Sequence, residues 1–197
     1  MNKAPTLATP SAALPPEEAQ SALGRPGGGF SLRPRTRIKV CGLTREEDVD
    51  ACIEAGVDAI GFVMYPKSPR YVTPRRASEL ASRLPAFITP VLLFVNELPA
   101  TIAAARALVG DAVLQFHGDE SPQACGYATD SGLYTYIKAA RIPLDESAPR
   151  FDLVQFAKDY STARAILLDA HVDGFGGAGK VFNWSLLPPN VDAHLVL

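Results

Sequence analysis

The chain predicts an α/β fold of parallel strands covered by helices, and three observations carry that prediction. From Arg37 onward, a short apolar or β-branched run, a turn and an amphipathic stretch recur about every 22–28 residues. The runs are too apolar to face water on either side, as expected of parallel strands buried on both faces. No long crossover and no reversal of order interrupts them, which favours a (β/α)8 barrel, although periodicity alone also admits an open doubly wound sheet.

The elements follow in order. Residues 38–41 form the first strand, closed by Gly42, so the Cys41 thiol sits at a C-terminal strand tip, and Thr44-Arg-Glu-Glu47 fits a capping box for the first helix. Gly56 is a helix stop before the second strand, residues 59–64. Thr73-Pro74 pairs an N-cap hydroxyl with proline at the first helical position, and the third strand is residues 91–95. Gly110 ends the next helix, residues 112–116 form a strand, and Ser121-Pro122 repeats the cap-and-proline signal. The remaining strands are read at 133–138, 165–169 and 194–197.

At 197 residues with 47% apolar and 20% charged content, the chain can bury one ordinary core. A formal net charge of −2, with basic residues spread along the chain, offers no field for a nucleic acid. Cysteines 41, 52 and 125 have neither metal-ligand nor disulfide spacing, which fits a reducing cytoplasm, and no metal site is expected. The longest apolar run, residues 91–95, is far short of the roughly 20 residues a membrane helix needs. Residues 1–35 are rich in Ala, Pro, Gly and Ser without period, and are expected to be a disordered leader ahead of a domain over 36–197. Prolines 5, 10, 15 and 16 break any secretory core, while Arg25, Arg33, Arg35 and Arg37 leave a transit-peptide reading beside an over-long start site.

Several polar residues sit where α/β proteins keep their chemistry, at the C-terminal tips of strands. Gly174-Phe-Gly176-Gly177-Ala-Gly179-Lys180-Val181 imitates both a dinucleotide fingerprint and a P-loop. It follows the sixth strand rather than the first, and Val181 replaces the magnesium-binding hydroxyl, so both readings fail. What remains is a glycine-rich loop able to approach an anion or to close over a substrate, after a strand that ends in Asp169. Asp169 is either a cap or an acid over the site. Arg70, in the loop after the second strand, suits a carboxylate or phosphate or is simply solvated, and His117 ends the fourth strand as a rim hydrogen-bonder or site residue.

Together these segments resemble phosphoribosylanthranilate isomerases. The resemblance is carried by Arg37-Ile-Lys-Val-Cys-Gly-Leu-Thr44, Gly61-Phe62-Val63 with Ser68-Pro-Arg-Tyr71, and Val95-Asn96. It continues through Leu114-Gln-Phe-His-Gly118, Leu167-Leu-Asp169 and Gly176-Gly-Ala-Gly-Lys-Val-Phe-Asn-Trp184, from about residue 36 to the last. It implies a (β/α)8 barrel that isomerises N-(5-phosphoribosyl)anthranilate to its 1-deoxyribulose form in tryptophan synthesis, without a cofactor, as a monomer or homodimer.

The resemblance also implies roles. Cys41 matches the general base, Asp169 the general acid, Arg70 the holder of the anthranilate carboxylate, and Gly177, Gly179 and Lys180 the loop over the substrate, with His117 at the substrate site. An acid at Asp169 has to hold its proton near neutral pH, and a base at Cys41 has to reach the thiolate. Lys39 can help the thiolate if the first strand is regular. The Cys41 and Asp169 pair does not supply the lysine and glutamate of the related indole-glycerol-phosphate synthase. A barrel needs eight strands, and His194-Leu-Val-Leu197 falls in the seventh, so an incomplete barrel of about six βα units plus one strand is expected. The phosphate-binding residues are then expected beyond Leu197, and the chain as it stands is read either as an active isomerase or as a non-catalytic portion of one.

Overall fold

Seven strands pair in chain order, all parallel, in one sheet. The computed structural model describes residues 35–144, 151–170, 187–188 and 190–197. The compact unit that carries the strands spans Arg37–Leu197. Its strands are β1 (Lys39–Cys41), β2 (Ala59–Val63), β3 (Thr89–Phe94), β4 (Val113–Phe116), β5 (Tyr136–Ile142), β6 (Ala165–Ala170) and β7 (Leu195–Val196). Between them lie helices α1 (Glu46–Glu54), α2 (Pro74–Ala81), α3 (Pro99–Val109), α4 (Pro122–Ala128) and α5 (Leu153–Asp159).

The period of two along each strand sorts its side chains. Ile60 and Phe62 of β2, Leu92 and Phe94 of β3, and Leu114 and Phe116 of β4 join the layer that also contains Val49, Ala77, Leu80, Ile102 and Ala105 of the helices. Ala140, Ile142, Ile166 and Leu168 do the same against Leu153 and Ala157. The alternate residues form a separate inner cluster, Val63, Leu93 and Val95, against which Cys41 and Tyr65 pack. His117, at the end of β4, hydrogen-bonds Asp169 of β6 across 2.9 Å although β5 runs between them. In a flat sheet those strands stand about 9–10 Å apart with side chains normal to the sheet, so the sheet is strongly curled. β1 and β7 are not neighbours, which leaves the curled sheet open between them among the described residues.

Two of the expected helix caps form. Thr73 and Ser121 accept hydrogen bonds from Arg76 N and Ala124 N, with Pro74 and Pro122 starting the helices. The expected capping box does not. The N-cap of α1 is Arg45, without a side-chain cap bond, and the helix starts at Glu46. Arg76 explains the shift: its guanidinium binds the Glu46 carboxylate and the Thr44 carbonyl, fixing the chain before α1 by a tertiary contact. Glu46, Glu47 and Asp48 then place negative charge at the positive end of the helix.

The fifth strand lies later than the 133–138 expected. Its aromatic and β-branched lead-in is consumed by a turn in which Asp130, Ser131 and Gly132 all have positive φ, and Tyr134 N reaches back to Thr129 O. The strand instead runs on past Lys138 to Ile142. Lys138 is 2% exposed, donating from Nζ to Gly118 O (2.7 Å) and to Glu120 Oε2 (2.9 Å). Glu120 in turn accepts from Asn96 N at 2.7 Å and Gly118 N at 3.0 Å, so one buried ion pair ties the loops after β3 and β4 to β5.

Removing one member of this pair leaves the other charge buried. Lys138→Met is expected to cost about 3–5 kcal/mol in urea unfolding, and Glu120→Gln added to it to recover much of that loss. A single-variant loss under about 1 kcal/mol contradicts the clamp.

Candidate active site

Residues at the C-terminal ends of β1 to β4 and of β6 line a cavity of about 250 Å³ that takes in Cys41, Arg70, His117 and Asp169. Four of the residues singled out from the sequence are thus brought together, from strands as far apart as the first and the sixth. Gly177, Gly179 and Lys180 lie outside the described residues.

Cys41 reaches the cavity because β1 ends there and because its neighbour has no side chain. Cys41 pairs with Gly61 on β2, and a Cβ built on Gly61 would stand 2.7 Å from Cys41 Sγ. Lys39, two residues earlier on the same face, lines the same cavity, as a regular β1 requires. The other thiols differ. Cys125 is fully buried in the helix-side core, where desolvation pushes it up to about 12, and Cys52 packs against that same core.

Arg70 crosses the first strand's tip. Its Nη1 donates to Cys41 O at 3.0 Å, and its side chain lies over Gly42, where a Cβ would meet Cδ at 2.7 Å. Gly42 also has φ 88°, a conformation that other residues adopt only with strain. Both features let a guanidinium lie flat across the backbone at the edge of the cavity.

His117 is 7% exposed and both of its ring nitrogens are engaged by protein groups. Gln115 Nε2 stands 3.0 Å from Nδ1, and Asp169 Oδ2 stands 2.9 Å from Nε2. An amide N–H can only donate, so Nδ1 accepts and Nε2 carries the proton that is given to Asp169. His117 therefore faces Asp169 rather than leaving a nitrogen open to a substrate. Gln115 belongs to the motif Leu114-Gln-Phe-His-Gly118, yet has no role assigned from the sequence. The signal available is its place: a polar residue in the apolar run Val113-Leu-Gln-Phe116, on the same strand face as His117.

The hydrogen bond from His117 is the largest influence holding the Asp169 carboxyl below the usual carboxylate range, with Arg141 adding to it and burial opposing it. A depressed carboxyl contributes stability above the ordinary carboxylate pKa of about 3.9, and that contribution is lost as pH falls through the lower folded value. Near neutral pH Asp169 is thus a carboxylate in the unliganded chain. From the sequence, burial or a nearby negative phosphate is expected to promote a proton on this carboxyl; burial does act in that direction, and the hydrogen bond from His117 outweighs it. The physical reason is the donor from β4, which no spacing argument reveals.

Residues 38–197 match the family model for N-(5'phosphoribosyl)anthranilate (PRA) isomerase. A relative of the same name from Methylibium petroleiphilum is 56% identical over 163 residues, which cover 83% of this chain and 72% of the relative. The crystal structure of phosphoribosyl anthranilate isomerase from Thermotoga maritima superposes with a TM-score of 0.65 at 37% identity, covering 77% of this chain and 70% of that one. Another isomerase structure, in complex with reduced 1-(o-carboxyphenylamino)-1-deoxyribulose 5-phosphate, gives 0.54 at 30% identity, covering 70% of this chain and 77% of that one. The curled parallel sheet is that of these (β/α)8 barrels, and with the matched segment spanning all seven strands, the chain belongs to the N-(5'-phosphoribosyl)anthranilate isomerase family.

Proposed function

We propose that the chain isomerises N-(5-phosphoribosyl)anthranilate to 1-(2-carboxyphenylamino)-1-deoxyribulose 5-phosphate, an Amadori rearrangement of tryptophan synthesis, by general acid and base catalysis. The observation that carries this reading is the convergence of Cys41 and Asp169, from β1 and β6, on one cavity. Opening the furanose ring requires a proton on the departing ring oxygen, and forming the enolamine requires removal of the proton on the neighbouring carbon. Asp169 takes the first role and Cys41, as thiolate, the second.

The surroundings support these roles. Lys39 lines the same cavity as the thiol, and Gly61 leaves the sulfur room beside β2. Arg70 has one N–H committed to Cys41 O, and the rest of its fork suits the anthranilate carboxylate. Gly177, Gly179 and Lys180 remain proposed as the loop that closes over the substrate. Three free thiols fit a reducing cytoplasm as the place of work, and no helix among the described residues is long and apolar enough to cross a membrane.

The open interval between β1 and β7 favours one second reading, in which the chain is a non-catalytic portion of the same barrel. The decline of anthranilate-conjugate fluorescence separates the two. Turnover by the purified chain supports the first. Turnover only after fusion to the last quarter of the Methylibium petroleiphilum relative supports the second, and none in either case defeats the isomerase reading.

In whichever form turns over, Cys41→Ala and Asp169→Asn are each expected to lower kcat by about 10²–10⁴ while leaving binding of a product analogue near normal. Rates like those of the unsubstituted protein would remove these roles. Arg70→Ala is expected to raise KM about tenfold or more with kcat little changed, because the carboxylate contact exists in ground and transition states alike. An unchanged KM returns Arg70 to the surface. In His117→Phe the main influence lowering Asp169 is gone while burial remains, so its pKa, followed by carboxyl ¹³C NMR, is expected to rise. A fall or no change would mean that His117 does not set the charge of Asp169.

A further inference from the structure

Gln115 is 1% exposed, and its Oε1 is the one buried side-chain polar atom without a hydrogen-bond partner among the described residues. Its Nε2 lies against His117 Nδ1, and His117 Nε2 against Asp169 Oδ2, so three side chains form one directed chain ending on the proposed acid. In this arrangement the imidazole is neutral, Asp169 is a carboxylate, and the pair carries a net charge of minus one. Ring opening requires the pair with one proton more.

That extra proton sits either on the imidazole, giving imidazolium beside carboxylate, or on the carboxyl, whose O–H then donates to Nε2. In both forms Nδ1 bears a hydrogen, which would meet the N–H of Gln115 donor to donor. A half-turn of the amide about its last side-chain bond removes the conflict, since the amide's oxygen and nitrogen differ little in shape. It brings Oε1 onto the Nδ1 hydrogen and carries Nε2 to the place Oε1 held, so the amide keeps one hydrogen bond to the ring in either charge state. We infer that Gln115 is a positioning residue whose amide turns with the charge of the His117–Asp169 pair, its oxygen holding the proton-loaded form that ring opening requires. The proton enters from solvent through the cavity and leaves as the hydrogen of the new sugar hydroxyl, which returns the pair to minus one and the amide to its first orientation. The inference rests on Asp169 being the acid.

Other charges bear on the pair. Lys39 and Cys41 from β1 and Tyr65 and Arg70 from the β2 side line the cavity with it, and Arg141 of β5 acts on Asp169. The three cations oppose loading of a proton, burial of Asp169 favours it, and an acceptor on Nδ1 favours it further. Glu120 and Lys138 offset each other beside the strand tip.

The test is a ring-¹⁵N NMR titration of His117 in the chain without substrate, with its signals assigned by their loss in His117→Phe. In the unsubstituted chain, Nδ1 is expected to be bare at high pH and to gain its proton on acidification as the Gln115 side-chain amide signals shift. Gln115→Met, which offers no good acceptor, is expected to lower the His117 midpoint by about one pH unit. Gln115→Glu, which accepts with a charge, is expected to raise it by a similar amount. A bulk or folding effect does not move the two variants in opposite directions. Shifts of the same sign, no shift, or a proton already on Nδ1 at high pH overturns the proposal. Opposite shifts in a protein that shows no isomerase turnover in any form support the amide's role and count against the isomerase reading alone.

Discussion

The curl of the parallel sheet is the constraint on which the candidate site depends. Strands that pair in chain order and share one direction deliver all their C-terminal tips to one end, and curvature bends that row of tips into an arc around a cavity. Without it, Cys41 on β1 and Asp169 on β6 stand five strands apart, and His117 cannot reach over β5. The hydrogen bond between His117 and Asp169 is therefore a product of curvature before it is a feature of electrostatics. The helices sustain the curl by packing one face of every strand, which leaves the other face to the small inner cluster of Val63, Leu93 and Val95 beneath the site.

Close approach of backbone and side chain fixes the finer geometry. The missing side chain of Gly61 is the space that the Cys41 sulfur occupies, and the missing side chain of Gly42 is the path of Arg70. On the other side of the cavity the fixing agent is charge. Glu120 gathers the amides of Asn96 and Gly118 while Lys138 holds Glu120, so the loop that follows His117 is tied to the neighbouring strand. An ion pair of this kind contributes little net stability against an apolar replacement, but it penalises any arrangement that separates its members. In this molecule that penalty falls on displacement of the β4 tip, next to the residue that sets the charge state of Asp169.

Charge within the cavity is arranged in two halves. Lys39 and Arg70 line the cavity together with the Cys41 thiol, where positive charge suits an anionic ligand. Asp169 lies on the side of His117, with a donor that keeps it ionised in the unliganded chain.

Much of the architecture was legible in the sequence because it is written in local terms. Apolar runs of strand length, proline-led helix starts at Thr73 and Ser121 and the glycine stops report the βα repeat, since each depends on residues within one turn or one strand. Cys41, Arg70, His117 and Asp169 could be named because strand tips are where such residues gather. What tertiary structure alone decided involves partners distant in sequence. Arg76, from α2, moved the start of α1 away from its capping box. Glu120 made a buried strand residue of Lys138, and His117 set Asp169 as a carboxylate. Local propensity amounts to tenths of a kcal/mol per residue, whereas a desolvated charge or a buried unpaired donor is a matter of several, so the long-range partner prevails wherever the two conflict.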